Sequence, residues 1–438
     1  MEKPFVFRSP RRLNLRLVCT PETPAKDTLD IWPPAFPLIV WGGDIKSSSA
    51  GTTDNTIAAL EQRNRVSQVH LFHLSSWQLE NVLATMQVPF PELEYLRLTS
   101  ADDDHETPPP VIPDSLLGGS APHLRFFSLS RISFPGLPKL LLTCSRLVSL
   151  LLFNIPHSGY ISPEAIVALF SVLSSLEDLR LSFQSPRSHP GGRLWSVTQS
   201  PKRSILRVPA LRVFHFKGVT EYLEELVSRI GTPQLNQMNI TFFNQIDFNT
   251  PRLAQFINCT PSLRALNEAH VYVCAPDTAA RIRFQYRASE YSFEYLSINI
   301  SCIEPDWQLS SIEQICNSLH SLSTVEDLSI ERLPAGYNPL VWKDDPLENI
   351  LWLQLLLPFT AVKNLYLSVE HAPRIAATLK EQLVTSRVAE ILPSLQNIFV
   401  AGLDRSGPLW ENIEHFVAAR QFSDNPIAIS DWDGRRRR

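Results

Sequence analysis

The chain contains Leu147-Val-Ser-Leu150-Leu-Leu152 and Leu176-Glu-Asp-Leu179-Arg-Leu181, two copies of the pattern leucine-x-x-leucine-x-leucine that decides the fold. Apolar residues repeat this pattern along nearly the whole sequence, and successive copies begin 23 to 37 residues apart. The copies begin at Leu93, Leu124, Leu147, Leu176, Leu211, Leu235, Leu263, Phe293, Val325, Val362 and Leu395. Val66-Ser-Gln-Val69-His-Leu71 and Leu13-Asn-Leu15-Arg-Leu17 extend the series towards the N-terminus. Because apolar positions alternate within each copy, we predict one short strand per copy.

Internal repetition of this kind is typical of a leucine-rich-repeat solenoid, in which a single unit cannot bury its apolar face alone and neighbouring units must stack. Most steps exceed the roughly 20–29 residues of regular leucine-rich repeats, so we expect helices or inserted loops beside the strands. The predicted fold class is α/β: an irregular, horseshoe-like leucine-rich-repeat solenoid with one strand plus a helix or loop per unit. Because no linker divides the chain, residues 1–430 are predicted to form one domain.

The segments between the predicted strands carry helix start signals. Ser162-Pro163-Glu164 supplies an N-cap, a proline at the first helical position and an acid near the positive helix end. Thr220 and Thr250-Pro251 open two further amphipathic segments, and we expect the first of them to close at Gly231. More helices are predicted over 311–319, 373–383 and 408–419.

Composition excludes several classes of protein. Hydrophobic residues make up 44% of the chain, a normal globular value that excludes a disordered protein. The net charge of -4 gives no reason to expect a nucleic-acid partner. Neither a signal-peptide pattern nor a membrane-spanning apolar run is visible. Six scattered cysteines without a C-x-x-C pair predict reduced thiols and a cytoplasmic protein, with the nucleus as the alternative compartment.

Patterns that suggest catalysis or metal binding are weak. His70-Leu-Phe-His73 has a spacing that suits a metal, but no third ligand accompanies it. The better interpretation is one surface histidine and one histidine near the core. Asp102-Asp-Asp-His105-Glu106 lacks the oxygen spacing of a calcium loop and predicts an exposed acidic loop. Since phosphate-binding glycine loops and nucleophile elbows are also absent from the sequence, we predict no enzyme activity, no cofactor and no metal site.

The residues between the pattern leucines predict a binding surface. In a leucine-rich repeat these residues face the concave side of the solenoid, which is where such folds bind partners. Here they are mixed polar and aromatic, and Tyr and Arg often act as anchors in protein recognition. The candidate protein-binding residues are Tyr95, Arg97, Arg180, His215, Lys217, Asn239, Tyr295 and Tyr366.

A second candidate surface is basic. Asp and Glu are absent between Leu179 and Thr220, and a loop insertion over 183–209 carries much of the positive charge there. One interpretation is a solvated loop. The other is a basic rim that captures an acidic or phosphorylated segment. The candidate residues of this basic rim are Arg187, Arg193, Lys202, Arg203 and Arg207. A separate basic segment, residues 431–438, is predicted to form a disordered tail.

Several longer segments carry a resemblance to known proteins. They are Thr220-Glu-Tyr-Leu-Glu-Glu-Leu226, Met238-Asn-Ile-Thr-Phe-Phe-Asn-Gln245, Asp306-Trp-Gln-Leu-Ser-Ser311, Pro358-Phe-Thr-Ala-Val-Lys-Asn-Leu-Tyr-Leu-Ser368, Phe416-Val-Ala-Ala-Arg-Gln-Phe-Ser-Asp424 and Pro426-Ile-Ala-Ile429. With them the chain resembles the fungal family of F-box and leucine-rich-repeat proteins. That resemblance implies a substrate-receptor subunit of a cullin-RING ubiquitin ligase. In such a receptor an N-terminal F-box binds a Skp-type adaptor, and the repeats hold the target.

The resemblance and the N-terminal sequence together define two functional hypotheses. The first 60 residues lack the Leu-Pro-x-Glu-Ile entry of an F-box. We therefore expect a protein-interaction scaffold that is the substrate-recognition part of such a receptor without its F-box. The Skp-type adaptor and cullin are then partners implied by the resemblance alone. The alternative is a stand-alone leucine-rich-repeat binding protein with no role in ubiquitin ligation. Both hypotheses predict a protein target and neither a nucleic acid nor a membrane as partner.

Overall fold

The computed structural model describes residues 14–22, 24–43, 50–101, 110–135, 137–186, 205–245, 248–273, 280–286, 295–301, 305–331, 346–381, 390–403, 407–421 and 426–432. The chain divides into two compact units, Met1–Leu211 and Arg212–Arg438. Each unit is mixed α/β, which confirms the α/β part of the predicted fold class. Within the described ranges, every helix is too short or too polar to cross a lipid bilayer.

Unit 1 alternates short strands with helices or turns. Its strands are β1 (Leu15–Val18), β2 (Leu38–Gly42), β3 (Val66–Leu74), β4 (Tyr95–Ser100), β5 (Phe126–Ser130), β6 (Ser149–Ile155), β7 (Asp178–Phe183) and the short β8 (Leu206–Arg207). Its helices are α1 (Ala25–Ile31), α2 (Ala50–Leu60), α3 (Ser76–Thr85), α4 (Leu137–Leu141) and α5 (Pro163–Phe170), with 3-10 turns at Leu116–Gly119 and His157–Gly159. Strands β1 to β7 form a parallel sheet in chain order.

The register of unit 1 follows the repeated pattern. Val69, Leu96, Phe127, Leu150 and Leu179 are partners on consecutive strands from β3 to β7. All five side chains are at most 1% exposed. Since the side chains of a strand alternate between its two faces, the residues between them lie on the opposite face of the sheet. The pattern therefore predicts both the strands and their pairing.

Several strands of unit 1 end in a left-handed residue at an equivalent place. His73 in β3, Arg131 after β5 and Asn154 in β6 have φ values of 52°, 60° and 49°. In β3 and β6 the register with the next strand shifts around this residue. A left-handed residue turns the chain sharply, so it ends the regular part of the strand. Gly43 fills this role after β2, where a Cβ atom would lie 1.7 Å from the Phe72 carbonyl oxygen.

Unit 2 continues the alternation with longer helices. Its strands are β9 (Val213–Gly218), the short β10 (Ile230–Gly231), β11 (Gln237–Phe243), β12 (Glu268–Tyr272), β13 (Ala280–Gln285), β14 (Tyr295–Ser301), β15 (Asp327–Glu331), β16 (Asn364–Leu367), β17 (Asn397–Ala401) and β18 (Ala428–Trp432). Its helices are α6 (Thr220–Val227), α7 (Pro251–Cys259), α8 (Pro261–Arg264), α9 (Pro305–Ser318), α10 (Pro346–Leu356), α11 (Ala372–Glu381) and α12 (Pro408–Gln421), with a 3-10 turn at His320–Thr324.

The strand order of unit 2 departs from a simple repeat. Strand β14 pairs with β11, and β13 lies between β14 and β12, antiparallel to both. Strands β12, β15, β16, β17 and β18 then follow in parallel. The prediction of one strand per unit is wrong here, because the segment Ala280–Gln285 inserts an additional strand. Its buried Ile282 and Phe284 alternate with polar residues, so it is itself a period-two strand.

The copy predicted to begin at Leu263 has the wrong register. Strand β12 begins only at Glu268, so Leu266, Ala269 and Val271 occupy the three buried pattern positions. The small side chain of Ala269 hides this copy from a search for large apolar residues. Leu263 instead lies within the short helix α8, where its side chain is 2% exposed.

The helix signals are confirmed at most positions. The hydroxyl of Ser162 accepts a 3.2 Å hydrogen bond from Ala165 N at the start of α5. Helices α7 and α12 cover their predicted segments. Helix α9 begins earlier than predicted and covers 311–318, and α11 covers 373–381. Helix α6 begins at Thr220 as predicted but ends at Val227, and Gly231 belongs to β10 instead of a helix cap.

The structure describes only part of the predicted repeat domain (1–430) and of the predicted tail (431–438). Strand β18 includes Asp431 and Trp432 of the predicted tail, and residues 433–438 lie outside the described ranges. The single domain over 1–430 and the horseshoe-like solenoid stay predictions.

Candidate interaction surface

In each unit, one sheet face carries the side chains that alternate with the buried pattern residues, and we call it the open face. In unit 1 this face holds a row of stacked rings: Trp41, His70, Tyr95 and Phe126. Consecutive ring centroids lie 4.6, 4.2 and 4.0 Å apart, with interplanar angles of 26°, 21° and 3°. All four side chains are partly exposed. We call these four residues the aromatic row.

Parallel pairing in register explains two of the three ring contacts in the aromatic row. Neighbouring strands lie roughly 4.8 Å apart, which is close to the separation of stacked rings. Trp41 is the register partner of His70, and Tyr95 is the partner of Phe126. One aromatic residue at an open-face position of each strand is therefore enough to build a continuous stack.

Two arginines flank the aromatic row. The Arg16 guanidinium lies 4.2 Å from the centre of the Trp41 ring, which caps the row at its β1 end. The Arg97 guanidinium lies 5.0 Å from the centre of the Phe72 ring on β3. Neither arginine forms an ion pair with a carboxylate of the described residues. Within the part of the chain that the structure describes, both positive charges on the open face are therefore without a neutralising carboxylate.

His70 at the centre of the row is neutral near pH 7. Burial, followed by the positive charges of Arg97 and Arg16, lowers its pKa from 6.5 to about 4. The ring nitrogen Nε2 lies 3.3 Å from the Gln68 side-chain oxygen, and this contact helps to fix the orientation of the His70 ring. The charge of this surface thus comes from the arginines.

The last strand of the unit 1 sheet carries an ion pair on its open face. Arg180 donates from Nε and a terminal nitrogen to the Asp178 carboxylate at 3.0 to 3.2 Å. The Asp178 side chain is 9% exposed. Arg180 therefore lies on the predicted face, but its charge is neutralised two residues away on the same strand.

In unit 2 four of the predicted binding residues lie on the open face of β9, β11 and β14: His215, Lys217, Asn239 and Tyr295. The Lys217 ammonium lies 5.5 Å from the centre of the Phe243 ring, and Arg283 lies 4.8 Å from that of Tyr295. Asn239 accepts a 2.8 Å hydrogen bond from Asn299. His215, partly exposed on β9, completes this group.

A polar cluster on β12, β13 and β15 escaped the sequence prediction. His270 is 7% exposed, and its two ring nitrogens lie 3.2 Å from Glu268 and 3.3 Å from Glu331. Gln285 donates to the Glu268 carboxylate at 3.2 Å. Burial alone would raise the pKa of Glu331, but hydrogen bonds with His270 and Ser329 bring it below its ordinary value. The cluster is internally paired, which suits a structural role.

The C-terminal strands of unit 2 carry a row of hydrogen-bonded polar side chains on their open face. Asn364 donates to the Asp327 carboxylate at 2.8 Å, and Asn397 donates to the Asn364 side-chain oxygen at 2.8 Å. On the same face the rings of Tyr366 and Phe399 stack at 4.6 Å. Tyr366 therefore lies on the open face, as predicted.

The structure places all eight predicted surface residues on open faces, and it brings only some of them together. Tyr95 belongs to the aromatic row and Arg97 flanks it, whereas Arg180 is bound in its ion pair with Asp178. Of the basic-loop candidates, Arg207 is exposed on β8, and Arg187, Arg193, Lys202 and Arg203 lie outside the described residues. The acidic loop over 102–106 lies outside them as well.

Sequence reasoning missed several members of the aromatic row. Trp41 and Phe126 are not among the predicted residues, and neither is the flanking Arg16. Strand β2, which carries Trp41, lacks a full copy of the pattern. The run Leu38-Ile-Val-Trp-Gly42 carried a usable signal, since its buried Leu38 and Val40 alternate with Trp41. For His70 and His73, the preferred prediction is one surface histidine and one histidine near the core, which does not include a stacked ring. Among the described residues no group of His, Cys, Asp and Glu is arranged to hold a metal ion, and His73 is exposed beyond the row.

Comparisons with known proteins give a likeness to solved structures. No protein-family model and no curated protein matches the chain. The solved structures that match include the leucine-rich-repeat-containing protein LegL7 from Legionella pneumophila. It is 14% identical, and the match covers 92% of this chain and 97% of that chain with a TM-score of 0.29. A likeness of this extent carries no argument about function, and the resemblance to F-box proteins stays a prediction.

Proposed function

We propose that this chain is a protein-interaction scaffold that binds a protein segment on the open face of unit 1. The observation that carries the proposal is the aromatic row with its two flanking arginines. Trp, Tyr and Arg are the side chains most enriched at the centres of protein interfaces. Here neighbouring strands hold them rigidly, so little side-chain freedom is lost when a partner binds.

Site-specific photo-cross-linking tests this proposal. A benzoylphenylalanine placed at Tyr95 in the full chain, expressed in the cells it comes from, would report proteins that touch the open face. The matched control places the same group at Trp77, which is 46% exposed on helix α3. We expect defined cross-linked proteins from position 95 that are absent from position 77. Equal cross-linking at both positions, or none at position 95, would contradict the proposal.

The finer proposal is that the bound protein is a ubiquitin-ligase target and that the chain acts as the substrate-recognition part of an F-box-type receptor in the cytoplasm or nucleus. The support for it is the sequence resemblance described above. The rival proposal is a stand-alone leucine-rich-repeat binding protein. Co-purification of the tagged full chain with the Skp-type adaptor and cullin separates the two. Recovery of the adaptor supports the ligase role, and its absence from a preparation that retains the cross-linked protein supports the stand-alone scaffold.

A further inference from the structure

We infer that the aromatic row binds an acidic peptide segment in extended conformation. This inference rests on the proposed function, because it names the chemical class of the partner that the open face of unit 1 receives. It is argued from the charges on that face, from the orientation of the stacked rings and from the direction of the row.

The first argument is charge complementarity. The open-face positions of β1 to β6 include two arginines, Arg16 and Arg97, and no Asp or Glu. The first carboxylate on this face is Asp178 on β7, and Arg180 already neutralises it. His70 between the arginines stays neutral near pH 7. A partner that supplies carboxylates would therefore find two positive charges that no carboxylate of the described residues neutralises.

The second argument is the orientation of the rings. Trp41 has the Arg16 guanidinium on one side and His70 on the other, and His70 and Tyr95 are each stacked between two neighbours. Because their faces are covered, these rings present their edges to solvent. The edge of an aromatic ring carries partial positive charge, whereas its face is partially negative. The aromatic row therefore favours anionic groups along its length as well as at the arginines.

The guanidinium groups keep donors for a carboxylate. An arginine that stacks on a ring uses the flat side of its guanidinium, and its N–H groups point outward in the plane. That arrangement leaves the paired donors with which arginine binds both oxygens of a carboxylate. Arg16 is exposed on β1, and Arg97 is partly exposed on β4. Each can reach a ligand without leaving its ring.

The direction of the row fits an extended chain. The stack runs across the strands from Arg16 to Phe126 with centroid steps of 4.0 to 4.6 Å. An extended chain advances roughly 3.3–3.6 Å per residue, so roughly five residues follow the row. Alternate side chains of such a chain face the same way. We therefore expect a ligand with Asp or Glu at every second position.

The test measures binding of a fluorescently labelled peptide that contains Glu-Thr-Glu-Thr-Glu to the full chain by anisotropy. The control peptide is Gln-Thr-Gln-Thr-Gln with the same flanks. We expect the acidic peptide to bind more tightly than the neutral one by about a hundredfold, because the neutral peptide loses a charge-assisted hydrogen bond at each of the two arginines and each loss weakens binding by about tenfold. Added salt should weaken only the acidic peptide, because it screens the attraction between charges.

Protein variants locate the binding. Arg16→Gln and Arg97→Gln should each weaken the acidic peptide by about tenfold. The matched control Arg63→Gln changes an exposed arginine in the turn before β3 and should leave binding unchanged. Unfolding midpoints close to that of the natural chain show that the variants remain folded. Equal affinity for the two peptides, or equal loss from Arg63→Gln and Arg97→Gln, would overturn the inference.

Two further outcomes are also decisive. A phosphoserine version of the peptide that binds when the Glu version does not would overturn the carboxylate class and assign the row to phosphorylated segments. Absence of binding by every peptide would overturn the inference. The scaffold proposal would then still be judged by cross-linking from position 95, which does not depend on the charge of the partner.

Discussion

The ring of His70 stacks on the ring of Tyr95 at 4.2 Å, although the two residues are not register partners. His70 is paired with Arg97, and Tyr95 is paired with Gln68. The stack thus crosses from β3 to β4 along a diagonal. This diagonal contact joins two register pairs, Trp41 with His70 and Tyr95 with Phe126, into one row. Because the diagonal step leaves Arg97 beside the row instead of within it, the same geometry produces the flanking charge.

Replacement of Tyr95 by alanine should lower the free energy of unfolding by about 1–3 kcal/mol. Tyr95 contacts two rings, and each aromatic pair contributes about 0.5–1.5 kcal/mol beyond its buried area. Urea denaturation measures the change. The matched control is Trp77→Ala on helix α3, whose side chain is 46% exposed and which should cost much less. If both variants lost the same free energy, the stack would contribute nothing of its own.

Acidification should destabilise the protein through His70. Burial, followed by the charges of Arg97 and Arg16, lowers its pKa from 6.5 to about 4 in the folded state. Between these values the unfolded chain takes up a proton that the folded chain refuses, so stability falls as the pH drops through this window and levels off below it. The measurement is the free energy of unfolding at a series of pH values.

The variant His70→Gln removes the titrating group and should flatten this part of the pH dependence. The control His123→Gln changes an exposed histidine and should retain it. A pH dependence that is the same in all three chains would mean that His70 titrates normally in the folded state.

The Asp178–Arg180 pair should show strong coupling. Arg180→Ala leaves the Asp178 carboxylate, which is 9% exposed, without its bidentate partner. We expect a loss of about 2–3 kcal/mol of unfolding free energy, typical of a hydrogen bond to a charged group whose partner stays buried. Asp178→Ala combined with Arg180→Ala should cost less than the two single changes added together. Additive losses in this double-mutant cycle would show that the pair is not coupled.

The sequence predicts the fold of this chain better than its surface. Pattern residues such as Leu150 and Leu179 could be found because burial demands large apolar side chains at a fixed period, and they are register partners as expected. Strand β12 could not be found in its true register, because Ala269 is small and the neighbouring strand β13 is antiparallel. Antiparallel insertion depends on tertiary pairing, which leaves no repeat in the sequence.

The candidate surface was only partly predictable, for a different physical reason. Alternation places Tyr95 and Arg97 on the open face, and the structure agrees. Stacking, however, depends on which residues become neighbours across strands, and that requires the register of every strand from β2 to β5. Arg180 was also predicted as a binding residue, but the carboxylate of Asp178, two positions earlier on the same strand, neutralises the charge of Arg180.

Truncation of a pattern leucine tests the register on which the candidate surface depends. Leu179 is 1% exposed and pairs with Leu150 across β6 and β7, so Leu179→Ala should cost about 2–5 kcal/mol of unfolding free energy through lost burial and a residual cavity. The matched control is Leu142→Ala, a 49% exposed leucine of the same unit, which should change stability by less than about 0.5 kcal/mol. A one-residue shift of β7 would exchange its two faces, which would place Leu179 on the open face and Arg180 in the core. In that register Leu179→Ala would leave the unfolding transition nearly unchanged. A large loss from Leu179→Ala beside a small one from Leu142→Ala therefore supports both the buried pattern and the open face opposite it.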